Sequence, residues 1–251
     1  METRLRQAIE QNLLSVYYQP IVDCQNEEIC GAEALCRWND KERGPISPLE
    51  FIPIAEESGL IMGLGKWMLE QACSDAQKWQ EKNFKPITVS VNITQAQLLS
   101  KNFRELILEI LKKTKLDPQL LKLEITESAF IQNLSDAVVI MKEIISLGVR
   151  FVVDDFGTGY SSLSYLRELP ICALKIDKSF IDPITHNSQG AALTQSIIGI
   201  GKSLGLEIVA EGVESKEQLL FLRAYQCSYI QGYLFSKPLP QVDFENLLKT
   251  I

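Results

Sequence analysis

The sequence predicts an α/β fold, a (β/α)8 barrel whose first strand runs antiparallel to the rest. Three observations carry this. Strand-like and helix-like stretches alternate along the 251 residues. The first two strand-like stretches, Val16 to Asp23 and Ile29 to Trp38, are joined only by Cys24 to Glu28, too short a link for a parallel crossover, so they form an antiparallel hairpin. Most later strands carry a polar or charged residue at or near their C-terminal end, where barrels of this kind build their sites. An open doubly wound sheet is the competing topology, but no glycine-rich nucleotide fingerprint follows a strand.

The chain opens with a short amphipathic helix, since Leu5, Ile9 and Leu13 share one helical face. Residues 1–15 are expected to pack as an N-terminal helix on the barrel, at its floor. After the hairpin, Ser47 reads as the N-cap and Pro48 as the first residue of a helix to Glu57. Ile61, Leu64, Met68, Ala72, Ala76 and Trp79 mark the buried face of the next helix. Strands follow near Ile87 to Asn92, Leu121 to Thr126, Arg150 to Asp154, Ala173 to Ile176, Glu207 to Ala210 and Tyr229 to Gln231. Helical runs between them include Asp136 to Leu147 and Ala191 to Leu204, each followed by glycine. A single domain over residues 1–251 is expected, with 46% hydrophobic residues to fill its core.

A formal charge of -7 and a pI near 5.0 argue against a nucleic-acid polymer as partner, because counterion-release binding needs a cationic footprint. A small anion remains accessible through metal ions. No run is long and apolar enough for a bilayer and the start has no signal-peptide pattern, so a cytoplasmic protein is expected. The six cysteines include no Cys-x-x-Cys pair, which points to buried reduced thiols over a zinc site.

The polar residues at the strand ends are Glu33, Asn92, Glu124, Asp154 with Asp155, Lys175, Glu211 and Gln231. Adjacent aspartates can serve one site only where the strand ends and the chain bends, and Gly157 and Gly159 permit that bend. Taken alone, the two aspartates could equally cap a helix starting near Ser161. Five carboxylates sharing a site cannot all ionise cheaply. Set against the one ammonium of Lys175 they leave four negative charges, the amount two divalent cations balance. An all-oxygen donor set favours Mg2+ or Mn2+. Two such ions about 3.5 to 4 Å apart form a clamp for in-line displacement at phosphorus. Glycoside hydrolysis, the other chemistry of paired carboxylates, needs only two acids and no metal.

Gly31-Ala-Glu33-Ala34-Leu35-Cys36-Arg37-Trp38 resembles the signature of the EAL domain family, the cyclic-di-GMP phosphodiesterases. The similarity continues through Val89-Ser-Val-Asn92, Leu123-Glu124-Ile-Thr-Glu127-Ser128, Asp154-Asp-Phe-Gly-Thr-Gly-Tyr-Ser-Ser-Leu163, Leu174-Lys175-Ile-Asp177, Ala210-Glu211-Gly-Val-Glu214 and Gln231-Gly-Tyr-Leu-Phe-Ser236. It runs from about Gln19 to Pro238 and implies a modified TIM barrel with an antiparallel strand.

By resemblance, Glu33, Asn92, Glu124 and Asp154 hold one cation and Asp154, Asp155 and Glu211 a second. Lys175 contacts the attacking water or phosphoryl oxygens, or else simply neutralises the acids. Glu127 anchors the loop after Asp155, with a helix N-cap contact as its alternative. Arg37, Asp177, Glu214 and Gln231 bind substrate or support the site, Arg37 through phosphate. Gln19 and Leu35 match ligand-proximal positions that could equally support the fold. Pro48 and Phe51 resemble a helix start near a guanine pocket, although Phe51 also suits the core. Cys36, Cys172 and Ser228 depart from the family pattern, and none is a cation ligand.

The resemblance implies hydrolysis of cyclic-di-GMP to linear pGpG in bacterial second-messenger signalling. Calcium is expected to inhibit, through longer and looser coordination. The alternative is a catalytically inactive cyclic-di-GMP receptor or protein-interaction module. A homodimer is implied, packed through the helix after Ser161 and coupled to the metals by the loop from Phe156 to Ser162. The chain could also be part of a longer protein carrying a sensor or cyclase domain.

Overall fold

The computed structural model describes all residues except 12, 83, 128–133, 159–165 and 250–251. The helix expected near Ser161, and the far part of the loop from Phe156 to Ser162, lie outside the described residues. The strands are β1 (Leu14–Asp23), β2 (Ile29–Asp40), β3 (Gly44–Ile46), β4 (Thr88–Asn92), β5 (Leu121–Thr126), β6 (Arg150–Phe156), β7 (Ala173–Ile176), β8 (Glu207–Ala210), β9 (Tyr229–Ile230) and β10 (Leu239–Pro240). The α-helices are α1 (Glu2–Glu10), α2 (Pro48–Glu57), α3 (Ile61–Glu81), α4 (Gln95–Leu98), α5 (Phe103–Thr114), α6 (Leu134–Ile145), α7 (Lys178–Ile181), α8 (Ser188–Ser203), α9 (Lys216–Ala224) and α10 (Gln241–Leu248).

β1 and β2 form the expected antiparallel hairpin, with Gln19 opposite Glu33. From β2 the sheet continues in parallel through β4, β5, β6, β7, β8 and β9. β9 then pairs antiparallel with β1 through Val22 and Ile230, which closes the barrel. β3 and β10 attach outside it, on β2 and β1, and were not anticipated. With three and two residues they are too short to show alternation.

Because β1 runs against the other barrel strands, its first residue, Leu14, lies opposite Trp38 near the C-terminal end of β2. The helix preceding it is therefore at the upper rim. α1 packs against α2 and α3, and Arg4 pairs with Asp40 at 2.9 Å and with Glu42 just beyond β2. This corrects the placement of α1 at the barrel floor.

Ser47 caps α2 as expected, its hydroxyl accepting from the Leu49 N–H at 3.3 Å. α3 buries Leu64, Met68, Ala72, Ala76 and Trp79 against the barrel. Trp79 meets Tyr18 of β1 edge-on at 4.9 Å and Phe244 of α10 at 5.0 Å, so one aromatic cluster ties two helices to the antiparallel strand. α6 begins two residues before its expected start, and α8 begins three before, where the Asn187 side chain accepts from Gln189 and Gly190. The polar run Asn187-Ser-Gln hides that start from hydrophobic periodicity. Among the described residues, no helix is long and apolar enough to cross a membrane.

Candidate active site

Lys175, on the short strand β7, is 1% exposed and its ammonium is the centre of the upper barrel. Its Nζ lies 2.7 Å from both Glu124 and Glu211, 3.2 Å from Glu33 and 3.3 Å from Asp154. Four strands thus deliver carboxylates to one buried cation. Asn92 joins them, donating its amide N–H to Glu33 Oε1 at 2.7 Å, which leaves the amide oxygen as a donor atom for a cation. Gln231 donates to Glu33 Oε2 at 2.7 Å and to Gln19 Oε1 at 3.1 Å.

The adjacent aspartates converge through a local break in β6. The β6–β7 register shifts between Val153 and Phe156, and Asp155 takes a left-handed backbone with φ 53°. Asp154, Asp155 and Glu211 can then place carboxylate oxygens within 4.8 Å of one another. The turn is fixed from behind: Glu127 Oε2 accepts from the Gly157 N–H at 3.0 Å, and Thr158 donates its hydroxyl to the Asp155 carbonyl at 2.9 Å. Gly157 has φ 96°, and a Cβ there would lie 2.7 Å from the Phe180 ring. Gly157→Ala is expected to cost about 1–3 kcal/mol from the left-handed backbone and to displace the turn that positions Asp155. Differential scanning fluorimetry and Mn2+ calorimetry should both register the change; wild-type values in both would show that the turn tolerates a side chain.

Two cavities flank the acids, and Leu35 lines both. The larger, about 480 Å³, runs from Arg37 and Asn92 to the inner faces of α2 and α3. The smaller, about 250 Å³, reaches Glu211, Glu214 and Tyr233. The Arg37 guanidinium donates to the Cys36 carbonyl at 2.9 Å and sits 5.6 Å from the Tyr17 ring centroid. Among the described residues it forms no ion pair, so its charge is available. Glu214 pairs with Lys178 at 2.5 Å on the rim, and Asp177 caps α7 by accepting from the Ser179 N–H at 3.0 Å. Pro48 lines the larger cavity, whereas Phe51 is fully buried edge-on to Trp38 and belongs to the core.

Residues 2–238 match the EAL domain family profile. The chain belongs to the EAL domain family. It is 46% identical over 236 residues to an uncharacterized signaling protein of Caulobacter vibrioides, covering 94% of this chain and 29% of that protein. It is 39% identical over 249 residues to the cyclic di-GMP phosphodiesterase NbdA of Pseudomonas aeruginosa, covering 99% of this chain and 32% of NbdA. The solved PaMucR phosphodiesterase in complex with c-di-GMP superposes with a TM-score of 0.92 at 38% identity, covering 96% of this chain and 98% of that one. The chain spans about a third of the length of the curated relatives it matches.

One ammonium cannot neutralise the acids of this EAL domain, and their ionisation shows it. Burial pushes Glu124 up to about 8, against the pull of Lys175 and with Glu33 and Asp154 adding to the rise. Burial and the neighbouring Asp154 raise Asp155 to about 6, and burial also holds Glu211 well above the usual carboxylate range. Glu33 goes the other way: burial would raise it, but Lys175, Gln231 and Asn92 together hold it low. For Lys175, burial is overcome by the surrounding carboxylates, which keep it charged.

This excess of negative charge and the all-oxygen donor set fit divalent cations. Asp154, Asp155 and Glu211 could hold one directly. The other expected set is differently disposed, since Glu33, Glu124 and Asp154 all engage Lys175.

The raised values fix the sign of a pH effect. A carboxyl whose folded pKa lies above its unfolded value stabilises the fold below the unfolded pKa, near 4, and loses that contribution as pH rises through the folded pKa. Cation-free protein should therefore lose thermal stability between about pH 4 and 8, the window given by Asp155 and Glu124. Because ligands must deprotonate to bind, the gain in Tm on adding Mn2+ should be larger at pH 8 than at pH 6. A gain that shrinks with pH would contradict this.

Some lining residues were not singled out from sequence, and others were read only as core. Ile52 and Glu56 follow Pro48 at intervals of four along α2 and face the larger cavity with it, and Gly65 does so on α3 beside Ile61, Leu64 and Met68, which were read as that helix's buried face. Helical periodicity was a usable signal, but it cannot tell a cavity wall from the core. Lys178, directly after Asp177, and Tyr233, two residues after Gln231, line the smaller cavity and were not singled out either.

Proposed function

We propose that this EAL domain, as one unit over residues 1–251, hydrolyses cyclic-di-GMP to linear pGpG with two divalent cations, Mg2+ or Mn2+. The observation that carries the reading is the convergence of Glu33, Glu124, Asp154 and Glu211 on one buried lysine, with Asp155 turned in beside them. Glu33, Asn92, Glu124 and Asp154 would hold one cation, and Asp154, Asp155 and Glu211 the other. When bound, the cations supply Lewis acidity and lower the pKa of a nearby water.

The protein's own groups do the rest. The Arg37 guanidinium pairs with a phosphate oxygen of the substrate. The larger cavity, apolar on its α2 and α3 walls, receives one nucleobase, and Leu35 separates it from the second half of the ligand. Asp177 and Glu214 support the rim on the far side. The Lys175 ammonium directs N–H groups at the attacking water and the phosphoryl oxygens. The new P–O bond forms as the bond to the 3′ oxygen breaks. The water's proton passes to the Glu211 carboxylate, and the leaving oxygen takes a proton from solvent.

The reading carries a cytoplasmic location and a homodimer. Supporting it are the relatives NbdA and PaMucR, named as phosphodiesterases, the latter with c-di-GMP bound. Metal exchange tests it: Mn2+ or Mg2+ should sustain turnover of cyclic-di-GMP and Ca2+ should suppress it. Equal rates with all three, or with chelator alone, would defeat the cation assignment.

A further inference from the structure

We propose, resting on the cation-binding half of the reading above, that the four-residue helix α7 is a wedge setting the separation of Asp155 and Glu211, with Phe180 as its positioning residue.

The wedge follows from strand order. β7 lies between β6 and β8 in the sheet. Asp155 stands in the break near the end of β6 and Glu211 directly after β8, so the segment leaving the top of β7 comes between their turns. That segment is α7, Lys178–Ile181. Asp155 and Glu211, on the two strands flanking β7, nevertheless bring carboxylate oxygens within 4.8 Å of each other and of Asp154.

Two side chains of α7 press on glycine. The Phe180 ring meets Gly157, two residues after Asp155, where a Cβ would lie 2.7 Å from Cζ and 2.8 Å from Cε2. The Lys178 stem meets Gly212, the residue after Glu211, where a Cβ would lie 2.7 Å from the Lys178 Cβ. Neither approach leaves room for a side chain, and both glycines take a left-handed backbone, with φ 96° and 67°. The turns that follow the two acids are thus both seated on α7.

A single helical turn cannot hold itself in place, because so few hydrogen bonds do not repay nucleation. α7 is held instead by buried groups of the next two helices. Thr194 of α8, fully buried, donates its hydroxyl to the Phe180 carbonyl at 2.8 Å. Gln218 of α9 donates its amide to the Ile181 carbonyl at 3.3 Å. The oxygen of the same amide accepts from the Glu214 N–H at 2.7 Å and the Ser215 N–H at 3.0 Å. One buried glutamine therefore ties α7 to the loop that begins at Glu211. On the Asp155 side the tie is the Phe180 ring. Phe180 lines neither cavity beside the acids, so its effect on the site runs through Gly157. Partners beyond the direct ligands orient metal sites in this way.

The test compares Phe180→Leu and Thr194→Val with wild type, folding being checked by circular dichroism and a melting curve in chelator. Mn2+ affinity, measured by calorimetry without substrate, is expected to fall about tenfold in Phe180→Leu and severalfold in Thr194→Val. Gly157→Ala combined with Phe180→Leu should lose at least about threefold less affinity than the product of the two single losses, because the alanine methyl enters space the ring has left. A general loss of stability would not produce that coupling. Mn2+ affinity within about twofold of wild type in Phe180→Leu overturns the wedge, and so does a double variant whose loss equals the product. If Phe180→Leu does not fold, Thr194→Val decides alone, and wild-type affinity there overturns the wedge as well. Wild type that binds no Mn2+ would defeat the cation reading together with the wedge, whereas equal binding by wild type and variants would defeat the wedge only.

Discussion

Asp154→Asn is expected to lower kcat by about 10³-fold or more while leaving the protein folded. Loss of a single preorganised electrostatic group commonly costs about 10² to 10³ in kcat. Asp154 does more than one such group, because it belongs to both expected cation sets and also faces Lys175 at 3.3 Å. The substitution preserves shape and removes one of the four carboxylates around a buried ammonium, so stability should change far less than rate. Steady-state kinetics at saturating Mn2+ together with a melting curve separate the two effects. A near-wild-type rate would refute the assignment of Asp154 to both cations.

Lys175→Met should have the largest effect on stability. The ammonium is 1% exposed and is the shared partner of Glu33, Glu124, Asp154 and Glu211. Removing one partner of a buried ion pair costs about 3–5 kcal/mol, because the remaining charge stays buried and unpaired. Here four carboxylates lose their cation, so they must take up protons or repel. The melting temperature in chelator should fall steeply and recover in part with Mn2+, since divalent cations restore the missing positive charge. Turnover should remain low even then, because the N–H donors are gone. A variant as stable as wild type in chelator would mean that the acids are balanced by something other than Lys175.

Both expectations depend on features that the sequence reveals unequally. The barrel was legible: a five-residue link at Cys24 to Glu28 forces the hairpin, and the later strands are apolar runs ending on polar residues. The residues of the acidic cluster were legible as charged side chains in apolar strand contexts, although Glu33 lies in the middle of β2 and not at its end. Their arrangement was not. Nothing in Leu174-Lys175-Ile176 announces that one ammonium will meet four carboxylates, because those contacts span 21 to 142 positions.

The break at Asp155 was foreseen as a bend, but its positive φ falls on an aspartate, with Gly157 two residues on carrying the next. Gln19 and Gln231 were recognisable only as positions near a ligand. Their link to Glu33 appears once the ladder register is known. The floor placement of α1 failed because helices of ordinary barrels precede parallel strands, whereas here the first strand starts at the upper rim.

The central claim is tested most directly by incubating the pure protein with cyclic-di-GMP and Mn2+ and following the nucleotides by chromatography. The account predicts conversion to linear pGpG, with the phosphate retained on the 5′ side and no reaction in chelator. Cyclic-di-GMP that is bound but recovered intact, at every cation and protein concentration, would contradict it and identify the domain as a receptor.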